Sequence, residues 1–153
     1  MQRRHFLKNT MATGAVALAA TSGLLVPIRV LAWNKAAFDA KDVKSAMTGA
    51  IGTDSTKTSD KIKIKAPDIA ENGAVVPVTI SSTLSDVKSI TIISEKNGTP
   101  LIAKFNLKGK AEAFVSTRIK MGKTSNVIAI CESGGTFYSA SKEVKVTIGG
   151  CGG

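Results

Sequence analysis

The chain has 153 residues, a formal net charge of +10, 43% apolar residues, 5% aromatics, two cysteines and one histidine. Its basic residues are scattered rather than striped and stacking groups are few, which excludes nucleic-acid binding as a main role. The single histidine, His5, falls in a leader, so the remainder has no Ser-His or Cys-His nucleophile pair and no histidine metal site.

Residues Arg3-Arg4-His5-Phe6-Leu7-Lys8 form a twin-arginine pattern, followed by a mildly apolar run over 11–26 that Thr13, Gly14, Thr21, Ser22 and Gly23 interrupt. The run is short of the ~20 apolar residues that cross a bilayer. Pro27 and Arg29 close it, and Val30-Leu31-Ala32 offers small residues for a signal peptidase. Residues 1–32 are therefore expected to be a Tat signal peptide, cleaved after Ala32, that delivers the chain to the periplasm. A retained membrane anchor is the competing reading. No cysteine follows the apolar run, which argues against a lipoprotein. The Tat route carries folded cargo, so co-export of a partner without its own signal is expected. Four of the 21 basic residues, Arg3, Arg4, Lys8 and Arg29, lie in the leader, which leaves a net charge of +6 on residues 33–153. That charge favours encounter with small anions or acidic protein surfaces.

The spacing predicts a helix over 36–51, since Val43, Ala46, Met47, Ala50 and Ile51 make one apolar stripe, with Asp39 as N-cap and Gly52 as stop. Residues 53–60 read as a linker. From Lys61 the period becomes two: Ile62 and Ile64 alternate with Lys61, Lys63 and Lys65. Residues 66–73 read as a turn region closed by Asn72-Gly73. Strands follow over 75–81, 87–95, 101–107, 113–121, 126–132, 136–139 and 143–148, and Pro77 sets the first of these near an edge or a strand start. Turn signals every 8–12 residues without βαβ alternation predict an all-β fold: an immunoglobulin-like antiparallel β-sandwich of about seven strands with a short N-terminal helix, over residues 33–148. An open barrel is the alternative.

Catalytic parts are missing. Asp68, Glu71, Glu95, Glu112, Glu132 and Glu143 are dispersed, and no phosphate-binding glycine loop occurs. No catalytic residue, metal site or cofactor is expected. Cys131 shares a strand face with Val127 and Ala129 and reads as a small buried hydrophobe. Cys151 is different: after Val144, Val146 and Ile148 the apolar alternation stops, and Gly149-Gly150-Cys151-Gly152-Gly153 follows. Glycines on both sides keep the segment narrow and mobile, a five-residue arm able to present a thiol inside another protein's channel. A Cys131–Cys151 disulfide, a frayed tail with a stray cysteine, and copper binding by Cys151 with Met47 or Met121 are the competing readings.

Val144-Lys145-Val146-Thr147-Ile148-Gly149-Gly150-Cys151-Gly152-Gly153 resembles the terminus of the SoxY family, sulfur-carrier subunits of the periplasmic thiosulfate-oxidising Sox system. Ile69-Ala70-Glu71-Asn72-Gly73 and Val76-Pro77-Val78 are similar to the same family, as are the Tat signal and the early helix. The resemblance implies a non-enzymatic carrier: a heterodimer with SoxZ, thiosulfate joined oxidatively to Cys151 by the haem enzyme SoxAX, release of sulfate by SoxB, and further oxidation by SoxCD where present. Cys131 departs from the pattern, which has an ordinary apolar residue there. The rival expectation is an exported immunoglobulin-like structural or adhesive module whose Cys151 forms an inter-chain disulfide.

Overall fold

The computed structural model describes residues 34–147; the leader, Ile148 and the 149–153 arm lie outside the described residues. Two short helices come first, α1 (Lys35–Asp39) and α2 (Val43–Ile51). Nine strands follow: β1 (Lys57–Thr58), β2 (Ile62–Lys65), β3 (Ile69–Ala70), β4 (Val76–Ser82), β5 (Val87–Ser94), β6 (Leu101–Asn106), β7 (Phe114–Ile119), β8 (Ser125–Ser133) and β9 (Thr136–Val146).

One helix was expected over 36–51, and the chain makes two. Asn34 caps α1, its side-chain oxygen accepting from the Ala37 N–H, and Asp42 caps α2 by accepting from Ser45 N–H at 2.8 Å. Ala40 is extended, with ψ 141°, so Asp42 and not Asp39 is the cap that starts the striped helix. That hydrogen bond holds the Asp42 carboxyl below its ordinary pKa. Gly52 ends α2 in the left-handed region at φ 79°, as expected of a glycine stop. The apolar stripe is where periodicity put it: Ala46 and Met47 are buried, with Val43, Ala50 and Ile51 partly so.

The strands make two sheets, a six-stranded one with path β1-β9-β8-β5-β6 and β3 beside β9, and a three-stranded one ordered β2-β4-β7. They face each other as an immunoglobulin-like sandwich, not a barrel, because no ladder joins the two sheets. Val76, Val78 and Ile80 from β4, Ile90 and Ile92 from β5, and Val127, Ala129 and Cys131 from β8 fill the space between them. The helices cover the opposite face of the large sheet, where Ala46 and Met47 meet Ile93, Leu101 and Ile130. Strands β5 and β8 are thus covered on both faces, which is why β5 is buried at nearly every position.

Seven strands exceed two residues, in line with the expected number. Two details depart from expectation. Residues 136–139 and 143–148 are not separate strands but one, β9, paired with β8 without interruption from Ser133↔Thr136 to Ser125↔Val144. Its polar middle is explained by β1, which pairs in parallel at Tyr138 and Ser139, and by the 2.8 Å hydrogen bond between the Thr56 and Ser139 hydroxyls. The linker and the turn region each contribute a parallel dipeptide strand, β1 and β3, so the sandwich is antiparallel apart from these two pairs. Pro77 meets the expectation of a strand start, as the second residue of β4, although β4 is the middle strand of the small sheet. It is tolerated because β2 stops at the Lys65↔Thr79 pair, which leaves that side of Pro77 open.

Candidate functional site

The sequence points to Cys151, so the structural question is what holds the strand that leads to it. Strand β9 ends at Val146, and its last residues are held from both sides. On one side β3 runs parallel, with Ile69 beside Lys145 and Ala70 beside Val146. Lys145 N–H donates to Asp68 O at 3.0 Å and Thr147 N–H to Ala70 O at 3.1 Å. On the other side Ser125 pairs with Val144, and just beyond it Thr124 Oγ1 accepts from Val146 N–H at 2.9 Å. Each backbone N–H from Lys145 to Thr147 is therefore satisfied, and the final residues of β9 cannot fray without breaking bonds to two elements.

A turn braces this end. Asn72 Oδ1 accepts from Ala74 N–H at 2.9 Å, and Val75 N–H donates to Asn72 O. Gly73 then lies against the strand: a Cβ there would stand 2.3 Å from the Met121 carbonyl oxygen and 2.9 Å from Val146 Cγ1. Met121 N–H donates to Gly73 O at 2.7 Å, which brings in the loop after β7. Asn97 ties that loop down in turn, donating to Lys120 O and accepting from Gly122 N–H. Ala70 and Val144 are buried beneath the braced end.

Around it the surface carries charges of both signs, the exposed Glu143 on the same strand included. Lys123 and Lys145 are exposed, as is Glu71, and Asp68 is paired with Lys142 at 3.0 Å. Ile69 and Val75 are apolar and at least half exposed. Cys151 follows Thr147 by four residues, a span of at most ~14 Å at about 3.3–3.6 Å per residue. Cys151 and the flanking Gly149, Gly150, Gly152 and Gly153 lie outside the described residues.

The other thiol has a different setting. Cys131 is free and wholly buried in the sandwich core, as its strand face predicts. Burial pushes its pKa up from 9.0 to about 11, against a smaller downward pull from a hydrogen bond to Ser82. In the ladder it stands between Ile90 and Tyr138, near the β8–β9 hairpin. From Tyr138 to Val146 is eight residues of strand, ~27 Å at about 3.4 Å each. From Val146 to Cys151 is five residues, ~18 Å at most. A disulfide needs Cα atoms within about 7 Å, so a Cys131–Cys151 bond would require β9 to unzip. Copper binding gains no support either, since Met47 packs in the helix layer and Met121 in the sandwich core. Among the described residues no three acidic, cysteine or histidine side chains gather as a metal site, and no helix is long and apolar enough to cross a membrane.

Sequence reasoning places the Asn72-Gly73 turn but not its contact with Val146, and it misses β3 and Thr124. A two-residue parallel strand has no period to detect, and a single threonine acting on backbone has no motif.

The profile of the family described as "Sulfur oxidation protein SoxY" matches residues 44–151, a span that includes both the turn at 72–73 and Cys151. Among solved structures, the sulfur carrier protein SoxY from Chlorobium limicola f thiosulfatophilum is similar at 38% identity, covering 72% of this chain and 96% of that one, with a TM-score of 0.64. No curated protein matches the chain. A profile match over most of the chain, joined to a structural likeness at that identity, shows that the chain belongs to the SoxY family of sulfur oxidation proteins.

Proposed function

We propose that this chain is the carrier of a periplasmic thiosulfate-oxidising system, exported on a Tat signal over residues 1–32, with the Cys151 thiol as the point of covalent attachment. The observation that carries the reading is the anchoring of Val146 by Thr124 and of Thr147 by β3, the latter four residues before a thiol flanked by glycines. A firm base and a short tether place the sulfur within a bounded sphere, which is how an attached intermediate reaches an enclosed centre without diffusing away. Loading joins the thiol to the outer sulfur of thiosulfate through a new S–S bond, with loss of one proton and two electrons. The chain carries no electron acceptor of its own, so a haem enzyme such as SoxAX takes the electrons. Hydrolysis of the distal sulfonate by SoxB then releases sulfate, and SoxCD, where present, oxidises the sulfur left behind. SoxZ completes the carrier as a heterodimer.

The charge on the body suits this role, since thiosulfate and its conjugates are anionic. The burial of Cys131 leaves Cys151 as the thiol available for chemistry. The direct test replaces it. With the full chain and its partner enzymes, Cys151→Ser is expected to abolish thiosulfate-dependent sulfate formation while the circular dichroism spectrum and melting temperature stay at wild-type values. Sulfate formation by Cys151→Ser at more than a few per cent of the wild-type rate would contradict the reading. A structural module with an inter-chain disulfide would instead run as a stable covalent homodimer on a non-reducing gel and show no response to thiosulfate.

A further inference from the structure

We infer that the outer face of the three-stranded sheet is a surface for anionic bilayers. Lys63, Lys65 and Arg118 meet acidic phospholipid headgroups there, and Phe114 enters the bilayer boundary at one corner. The inference does not depend on Cys151 being the loaded residue, and three observations carry it.

The first is what the pleat gathers. Alternation sends Ile62 of β2, Ile80 of β4 and Val115 of β7 into the sandwich core. The intervening residues of these strands share the opposite face. Lys63 and Lys65 lie on one side of it, Phe114 and Arg118 on the other, all four exposed. Between them the Thr79 and Ser116 hydroxyls are hydrogen-bonded at 3.0 Å. No outward residue of β2, β4 or β7 is acidic. Exposed Lys61 and Lys120 extend the basic character just beyond β2 and β7. Basic residues dispersed along the chain are thus brought to one face by the pairing of β4 with β2 and β7.

The second is the lack of counter-charge. Lys35, Lys44, Lys88 and Lys142 each pair with an aspartate. Among the described residues, none of the five basic side chains at the small sheet has such a partner. The nearest acidic residues along the chain, Asp60 and Glu112, stand in the turns that lead into β2 and β7. Like charges gathered without compensation repel one another, and an apposed layer of anions relieves that repulsion.

The third is the form of the face. Three paired strands make a shallow surface ~10 Å across at about 4.8 Å between neighbours. Four of the five basic residues are lysines, point charges on flexible stems that demand no fixed geometry of their anion. That suits mobile headgroups better than the set polar pairs of a protein interface. Phe114 is 51% exposed and starts β7 at the corner where it pairs with Ser81. An apolar ring beside lysines matches the boundary between headgroups and acyl chains. Val146 meets Gly73 and Met121, at the end where β4 begins and β7 finishes. The base of the tether therefore lies at the other end of the small sheet from Phe114, and docking on a bilayer leaves it open to other proteins. Attraction of this kind is reversible and weakens with salt.

The test takes the chain from its host in the processed form and complex in which it occurs there. Binding is measured by sedimentation with vesicles of equal parts phosphatidylcholine and phosphatidylglycerol, and with phosphatidylcholine alone, at low and high salt. Wild type is expected to bind the mixed vesicles at low salt and to leave them at high salt. Removing two charges from the face, Lys63→Gln with Lys65→Gln, is expected to lower the partition coefficient about tenfold or more, since each basic side chain at an anionic surface is worth about fivefold. Lys35→Gln with Lys41→Gln removes the same charge from the helix layer and should leave binding within about twofold of wild type, as charges beyond a Debye length are screened. Phe114→Ser should lower binding by an amount that salt does not change. Equal binding of wild type to both vesicle types would overturn the inference, as would equal losses in the two double variants. Wild-type vesicle binding by the Lys63 and Lys65 variant, with loss of an acidic protein from its complex, would assign the face to a protein and overturn it too.

Discussion

Cys131 and Cys151 have the same side chain, and the roles proposed for them differ because Cys131 is wholly buried. The buried thiol keeps its proton because the charged form would lose its hydration in the sandwich core, hence a pKa of about 11. Since the thiolate is the reactive form, Cys131 should not react with iodoacetamide in the folded protein at pH 8 and should react on denaturation. Peptide mapping of alkylated Cys151→Ser protein checks this; fast labelling of Cys131 in the native state would contradict it. The raised pKa has a sign for stability as well. Below pH 9 the thiol is protonated in both folded and unfolded chains. Between pH 9 and about 11 the unfolded chain releases that proton more readily, so stability falls as pH rises. The fall is up to ~2–3 kcal/mol, since each tenfold difference in proton affinity between the two states is worth about 1.4 kcal/mol. Cys131→Val should flatten this part of the pH profile in urea denaturation; an unchanged slope would place the ionisation elsewhere.

Among the elements, the bracing turn decides how firmly the end of β9 is held. Gly73 is needed there for proximity, because a methyl group would overlap the Met121 carbonyl and press on Val146. Gly73→Ala should therefore cost about 1–3 kcal/mol, as overpacked sites do, and speed amide exchange at Lys145 and Thr147, whose partners lie on the displaced segment. Hydrogen exchange followed by fragmentation would show this; exchange at those amides equal to wild type would remove the turn from the clamp. Sequence reasoning reads such elements unevenly. The period-two runs of β2 and β4 and the stripe of α2 are legible because one face of each is buried. The break between α1 and α2 is harder to see, since Asp39 and Asp42 are both adequate caps and the choice follows from where Ala37 and Ala46 pack. Strands β1 and β3 are set by tertiary pairing to β9, which two residues cannot announce.

At the scale of the whole molecule, three layers do separate jobs. The helices close one face of the large sheet, the small sheet closes the other, and β8 and β9 between them carry the chain out to the strand end that faces the tether. The layering was partly legible: the sandwich follows from strand count and turn spacing, while the covering of β5 on both faces shows only in the adjacent Ile92 and Ile93, which a simple alternation would not contain. The proposed site is read from Cys151 and its glycines in the sequence, whereas the brace at the end of β9 is not legible there, because Gly73 and Thr124 act through close approach and backbone hydrogen bonds rather than by pattern. The most direct measurement is mass spectrometry of the peptide containing Cys151 from protein incubated with thiosulfate, its partner enzymes and an electron acceptor. The account predicts a thiosulfate-derived adduct on Cys151 that appears and decays as sulfate forms, and sulfate accumulation with Cys151 unmodified throughout would contradict it.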